Sequence, residues 1–233
     1  MSRARPIATH RLSSSITRRP PRLARSRARS GQARGAPGTP DAWSSLRLND
    51  RIRPDARVLF VGINPGVRSA MTGHHFAGFS NRFWKLLWDS RLVSEAITFT
   101  DDDRLPEFGF GITNLVARPS PGIDALVPSE YVDGWHVLER KIRRYRPQVV
   151  ALVGVTLYRA IQPLIAQDCG GTARTAITTR PLATGLRPEM IHGARLYVLP
   201  NPSGRNANFT YPEMLRSFRG LRRLLGRSQM ISR

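Results

Sequence analysis

The sequence is short of the residues that build most thiol-based sites. Its single cysteine, Cys169, excludes an internal disulfide, a Cys-ligated iron–sulfur cluster and a multi-thiolate zinc centre. A reducing interior is the expected home, and Cys169 reads as an inert small residue. Lysine is almost missing: apart from Lys85 and Lys141, all 37 basic residues are arginine. Acids are also few, 16 in all, which leaves a formal charge of +21. No window approaches the ~20 consecutive apolar residues of a membrane span, so a soluble protein with no membrane partner is expected.

What is present divides the chain. The first 40 residues carry ten arginines and no acid, yet removing them leaves 27 basic against 16 acidic residues, still +11. The rest is therefore basic in its own right and suits a polyanionic partner, nucleic acid above all. Residues 1–45 are rich in Arg, Ser and Pro and lack periodic apolar positions, so they read as a disordered tail. Three uses stay open for it: an electrostatic DNA contact, an Arg/Ser-rich transit peptide, or a translation start set too early. The 40% apolar content supports one ordinary domain over residues 46–233.

Within that domain, buried strands alternate with helices. Arg57–Gly62, residues 109–116, residues 148–154 and residues 195–200 read as strands. Ser80 offers a cap for a helix whose Phe83, Trp84, Leu87 and Trp88 share a face. Tyr131, Trp135, Leu138, Ile142 and Tyr145 mark a second helix, stopped by Pro147 and carrying Arg140, Lys141, Arg143 and Arg144 on its other face. A third runs through about Ile165. Thr210 and Glu213 form a capping box for a last helix with Met214, Phe218, Leu221 and Leu225 inward. Strands that are apolar throughout imply an α/β fold: three layers, α/β/α, with a central, mainly parallel sheet.

Ligands of such sheets bind beyond the carboxyl ends of the strands. Two loops of similar make stand there, Ile63-Asn64-Pro65-Gly66 after the first strand and Asn201-Pro202-Ser203-Gly204-Arg205-Asn206 after the last. Neither contributes a carboxylate or a histidine, and neither matches a phosphate-binding glycine motif. Ordinary turns with Asn caps would explain either loop alone; two at equivalent strand ends point to a ligand site. Adjacent His74 and His75, with no third ligand nearby in sequence, make a poor metal site. No metal and no cofactor are expected.

At these residues the sequence resembles the mismatch-specific uracil-DNA glycosylases, the family of bacterial mismatch uracil glycosylase and eukaryotic thymine-DNA glycosylase. The resemblance covers about Arg57 to Leu225. It rests on GINPG at 62–66, TGHHFAGFSNRFWKLL at 72–87, GITNLVARPSPG at 111–122 and VLPNPSG at 198–204, in the family's order. It implies that Asn64 orients the water attacking the sugar C1′, and that Ile63, Gly66, Phe76 and Asn201 line the base pocket, Phe76 stacking on the flipped base. Read without the resemblance, Phe76 is a core phenylalanine, and capping and packing suffice for Asn81, Phe83 and Trp84.

The resemblance further implies that the 201–206 loop enters the duplex, bringing Ser203, Gly204, Arg205 and Asn206 to the DNA. Arg205 stands where the bacterial type has an aliphatic wedge. Arg68 and Arg118, near strand ends, are candidate phosphate contacts or solvated charges. The expected activity is a monofunctional glycosylase that removes uracil, with thymine or ethenocytosine as further candidates, from mispaired double-stranded DNA in base-excision repair. It is expected to act as a monomer in the bacterial cytoplasm, associated with the nucleoid through DNA. A non-catalytic damage-binding protein and a nucleotide-processing α/β enzyme are the other classes.

Overall fold

The computed structural model describes residues 42–168 and 184–231. The expectations for the tail, up to residue 41, and for Cys169 lie outside the described residues. Five strands form the sheet: β1 Val58–Gly62, β2 Phe110–Asn114, β3 Val149–Val153, β4 Gly185–Ile191 and β5 Ala194–Leu199. Their order is β2-β1-β3-β5-β4, parallel except for the antiparallel β4–β5 pair. The helices are α1 Val67–Thr72, α2 Phe83–Asp89, α3 Pro128–Tyr145, α4 Val155–Asp168 and α5 Tyr211–Ile231, with a kinked 3₁₀ segment over Phe99–Phe108.

Every residue of β1 and β3 is buried, because both faces of the sheet are covered. Alternate side chains serve two cores. Val58 and Phe60 join Phe83 and Trp84 of α2 and Phe218 and Leu221 of α5 on one face. Leu59 and Val61 join Trp135, Leu138 and Ile142 of α3 and Tyr158 and Ile161 of α4 on the other. Each such side chain contributes about 1.5–3 kcal/mol by leaving water. The result is the three-layer α/β/α architecture expected from the apolar runs.

Some local expectations are corrected. Ser80 does not cap α2: the N-cap position is Arg82, without a side-chain bond, and Asn81 Oδ1, one residue further out, accepts the Phe83 N–H at 3.0 Å. Trp88 is 44% exposed and Leu86 takes the buried position instead. In α3 the central Trp135, Leu138 and Ile142 are buried while Tyr131 and Tyr145 are only half-buried. Lys141 is not free on the basic face: it pairs with Asp50 at 2.7 Å and donates to Thr113 Oγ1. The edge strand β4 was not expected, since Pro188 interrupts its apolar pattern. It pairs with β5 through the two-residue turn His192-Gly193, with φ of 48° and 85°, which suits the twist of a hairpin. Glu213 does cap α5 as read, accepting the Thr210 N–H and hydroxyl at 2.7 Å each.

Helix α3 crosses the end of β2 closely. A Cβ added at Gly134 would lie 2.5 Å from the Leu115 carbonyl oxygen, closer than real contacts allow. Gly134→Ala is therefore expected to cost about 1–3 kcal/mol through overpacking, seen as a lower urea midpoint at unchanged slope. An unchanged midpoint would mean that α3 can back away from Leu115 freely.

Candidate active site

Strand β1 delivers Asn64 to the carboxyl edge of the sheet, and its pairing continues past its last residue. Leu115 N–H donates to Gly62 O and Val116 N–H to Ile63 O, both at 2.8 Å, and Ser120 N–H donates to Pro65 O at 3.0 Å. This register lays residues 115–120 alongside the Asn64 loop. The half-buried Asn64 then meets three oxygens at one end of its amide. Its Nδ2 lies 2.8 Å from Ser120 Oγ, 3.2 Å from Arg118 O and 3.2 Å from Pro65 O. The last two are carbonyls and can only accept. Ser120 spends its one hydroxyl proton on Gly122 O, at 2.6 Å, so it too accepts. Only the NH₂ group fits there, and Oδ1 is turned away with no protein donor among the described residues.

Arg118 owes its own place to Glu130 at the start of α3. Its Nε and Nη2 bind Glu130 Oε1 and Oε2 at 2.7 and 2.8 Å, a bidentate pair. The Arg118 guanidinium, helped by the Val127 N–H, holds the Glu130 carboxyl down at about 2. Arg68 is likewise occupied, its Nε donating to Ala77 O at 2.7 Å and its guanidinium lying 3.5 Å from the Phe79 ring centroid. Both arginines hold loops of the site, which leaves their charge less free for phosphate than the sequence suggested.

The second wall is built around Phe76, a non-glycine residue at φ 51°, a left-handed conformation that costs on the order of 1–2 kcal/mol. Neighbouring side chains fix it. Asp102 Oδ2 accepts the His75 N–H at 2.8 Å, Ser69 Oγ accepts the Ala77 N–H at 3.1 Å, and Trp84 Nε1 donates to His75 O at 3.1 Å. The ring stacks on Phe83 at 4.3 Å and is only half-buried.

Opposite Phe76 stands Asn114, at the end of β2. A Cβ at Gly62 would lie 2.6 Å from Asn114 Oδ1 and 3.3 Å from Phe76 Cζ, so both converge on the bare Gly62 backbone. The Asn114 amide is oriented by His75. That imidazole gives its Nε2 proton to Asn49 O at 3.1 Å, which leaves Nδ1 as an acceptor facing Asn114 Nδ2 at 3.4 Å. Burial pushes the His75 pKa below its ordinary 6.5, so the ring is neutral in neutral solution. The site thus holds two amides, each with its NH₂ end turned to protein.

The remaining loop closes on itself. Asn201 Oδ1 accepts the Ser203 N–H at 3.0 Å, Asn206 Nδ2 donates to Asn201 O at 2.7 Å, and the Arg205 N–H reaches Ser203 Oγ at 3.3 Å. Gly204 packs directly on Ser80, and the Arg82 N–H donates to Pro202 O at 3.0 Å, so this loop and the Phe76 loop form one rim. Arg205 is exposed and has no ion pair among the described residues. At Gly66 a Cβ would touch nothing, so packing alone does not demand a glycine.

The structure therefore brings Asn64, Ile63 and Phe76 to one set of strand ends and sets Asn201–Asn206 on the adjoining rim. His74 and His75 do not converge on a common point: His74 Nδ1 binds Asp102 Oδ1 at 3.1 Å, whereas His75 turns to Asn49 and Asn114. Among the described residues no group of three or more His, Cys, Asp or Glu is placed to hold a metal ion, and no helix is long and apolar enough to cross a membrane. Sequence reasoning missed Asn114, Ser120 and the His75 tether. Asn114 gave a usable signal, since it ends the buried strand β2 beside the one that leads into Asn64.

The chain is similar to known proteins. The family model "Uracil DNA glycosylase superfamily" matches residues 50–221. A Schizosaccharomyces pombe protein, "G/U mismatch-specific uracil DNA glycosylase", is 36% identical over 164 residues, 69% of this chain. The chain spans about half the length of that relative, 48%. A solution NMR structure of a candidate uracil DNA glycosylase from Methanosarcina acetivorans aligns at a TM-score of 0.49 with 15% identity, covering 76% of this chain and 98% of that one.

The buried His75 yields a stability test. Because its folded pKa is lowered, the unfolded chain takes up a proton near pH 6.5 that the folded chain refuses. Stability should be full above that value and fall as the pH drops through it, by no more than about 1.4 kcal/mol between pH 7.5 and 5.5. Urea melts of the protein and of His75→Gln would measure it. Parallel pH profiles for the two would contradict the assignment.

Proposed function

The chain belongs to the uracil DNA glycosylase superfamily, and from that premise we propose that it is a monofunctional DNA glycosylase removing uracil from G·U mispairs in double-stranded DNA. The observation that carries the reading is the Asn64 amide, pinned at its nitrogen by three oxygens, with Oδ1 left without a protein donor among the described residues. An amide cannot take a proton as a carboxylate can. Asn64 therefore contributes by holding a water in line with the sugar C1′ through its Oδ1, a positional effect. The glycosidic bond breaks first, giving an oxocarbenium-like sugar and a uracil anion, which backbone N–H groups of the 63–66 loop stabilise. Chemistry of this kind favours bases that leave readily and makes for a slow enzyme.

Recognition of the base falls to Phe76 and Asn114. Phe76 offers a half-open ring for the extruded base, with Ile63, Gly66 and Asn201 completing the pocket. Asn114 Oδ1 accepts a hydrogen bond from the N3–H of uracil; the unprotonated N3 of cytosine would face that oxygen as a second acceptor, an unpaired contact costing about 1–3 kcal/mol. The His75 tether keeps the amide from turning over to suit cytosine. Thymine and ethenocytosine are the further bases to test in the same pocket.

Extrusion itself costs a few kcal/mol of unstacking. Arg205, with Ser203, Gly204 and Asn206, enters the vacated space, where an arginine stacks on bases and reaches phosphate or guanine. The +11 balance beyond residue 40 supplies the salt-sensitive attraction to the duplex. We place the protein as a monomer on DNA in the bacterial cytoplasm, working without a cofactor. No amine stands among the site residues as a nucleophile, so the product is an intact abasic site.

The experiment is single-turnover cleavage of a labelled duplex with one central G·U pair, run with and without alkali. Alkali-dependent breakage is expected, and Asn64→Ala should lower the rate by about a hundredfold or more. Ser120→Ala, which removes one of the three oxygens holding Asn64, should lower it by roughly tenfold. Binding without excision by the wild type would replace this reading with a non-catalytic damage-binding protein.

A further inference from the structure

One large side chain on the rim has no role so far. Phe79 is 90% exposed, although aromatic rings dominate buried cores. Single exposed apolar residues are common, but three observations set this one apart. Its ring is not loose: the Arg68 guanidinium lies 3.5 Å from the ring centroid, and Arg68 is itself anchored to Ala77 O. It stands three residues after Phe76, next to Ser80, on which Gly204 of the Arg205 loop packs. A second exposed apolar side chain, Met71 at 68%, lies one turn from Arg68 on α1, and residues three apart share a helix face.

We propose that Phe79 is a second DNA wedge, stacking on a base beside the extruded nucleotide while Arg205 fills the space left by it. This inference rests on the glycosylase reading and goes beyond it in assigning an apolar, aromatic contact to the rim. A duplex base stack is the occupant because Phe79 lies in the chain between Phe76 and Ser80, on which the Arg205 loop packs, and because an aromatic ring braced by a cation offers a flat surface to any base. Apolar wedges inserted between base steps unstack them and ease extrusion. The contact is neutral, so it adds affinity without adding to the salt dependence.

The test uses the full chain and a fluorescent duplex in which guanine opposes a non-hydrolysable 2′-fluoro-2′-deoxyuridine, with 2-aminopurine as its neighbour. Loss of one base–aromatic stack should weaken binding by roughly five- to a hundredfold in Phe79→Ala. The slope of log K against log salt should be unchanged, whereas Arg205→Ala should reduce it by about one. The 2-aminopurine signal of unstacking should fall in Phe79→Ala and return in Phe79→Trp, with all thermal melts alike. If Phe79→Ala binds and unstacks the duplex as the wild type does, while the wild type still cleaves a G·U duplex, the wedge is overturned and the glycosylase reading stands. If the wild type neither binds nor cleaves, both fall. If the only change is loss of a dimer in light scattering, Phe79 is a contact between copies and the proposal is overturned.

Discussion

Everything at the site depends on three oxygens crowded around one amide nitrogen. Arg118 O, Pro65 O and Ser120 Oγ leave Asn64 a single orientation, and each oxygen is held by something further out. Arg118 is gripped by Glu130 at the head of α3. Ser120 is fixed through its own N–H to Pro65 O and its hydroxyl to Gly122 O. The β1–β2 register runs on through Leu115 and Val116, so the sheet itself decides which backbone lies beside Asn64. The path from a buried strand to a placed side-chain oxygen is therefore continuous.

The aromatic wall follows the opposite strategy. Phe76 occupies a conformation that most residues avoid, and Asp102, Ser69, Trp84 and Arg68 take the polar groups of the backbone around it. Strain of this size persists only where neighbours over-determine it. A water-positioning amide has little chemical power, so a site of this kind gains rate mainly from rigidity. The buried, neutral His75 extends that rigidity to Asn114, giving one site two amides of known direction.

Much of this was legible in the sequence, and the gaps have physical causes. Continuous apolar runs marked β1, β2, β3 and β5, because strands covered on both faces need no alternation. Strand β4 escaped because Pro188 and its half-exposed positions hide an edge strand whose ladder lies on one side only. Trp88 fell on the expected helical face yet points to solvent, since α2 is only seven residues long. The Asn64 loop was evident from its residues. The conformation of Phe76 and the engagement of Arg68 and Arg118 were not, because their partners come from tertiary contacts that composition does not encode.

The proposed role of Asn64 is that of a positioned, uncharged amide. Replacing it by its closest isostere with a carboxylate tests this directly: single-turnover uracil excision from a G·U duplex at pH 7.5, wild type against Asn64→Asp. A carboxylate gains general-base power but sets a charged acceptor against the Arg118 and Pro65 carbonyls. The expected rate is at least about tenfold below the wild type, the equivalent of about 1.4 kcal/mol of lost positioning, with the melting temperature also lowered. A rate equal to or above the wild type, in a variant of unchanged stability, would contradict it.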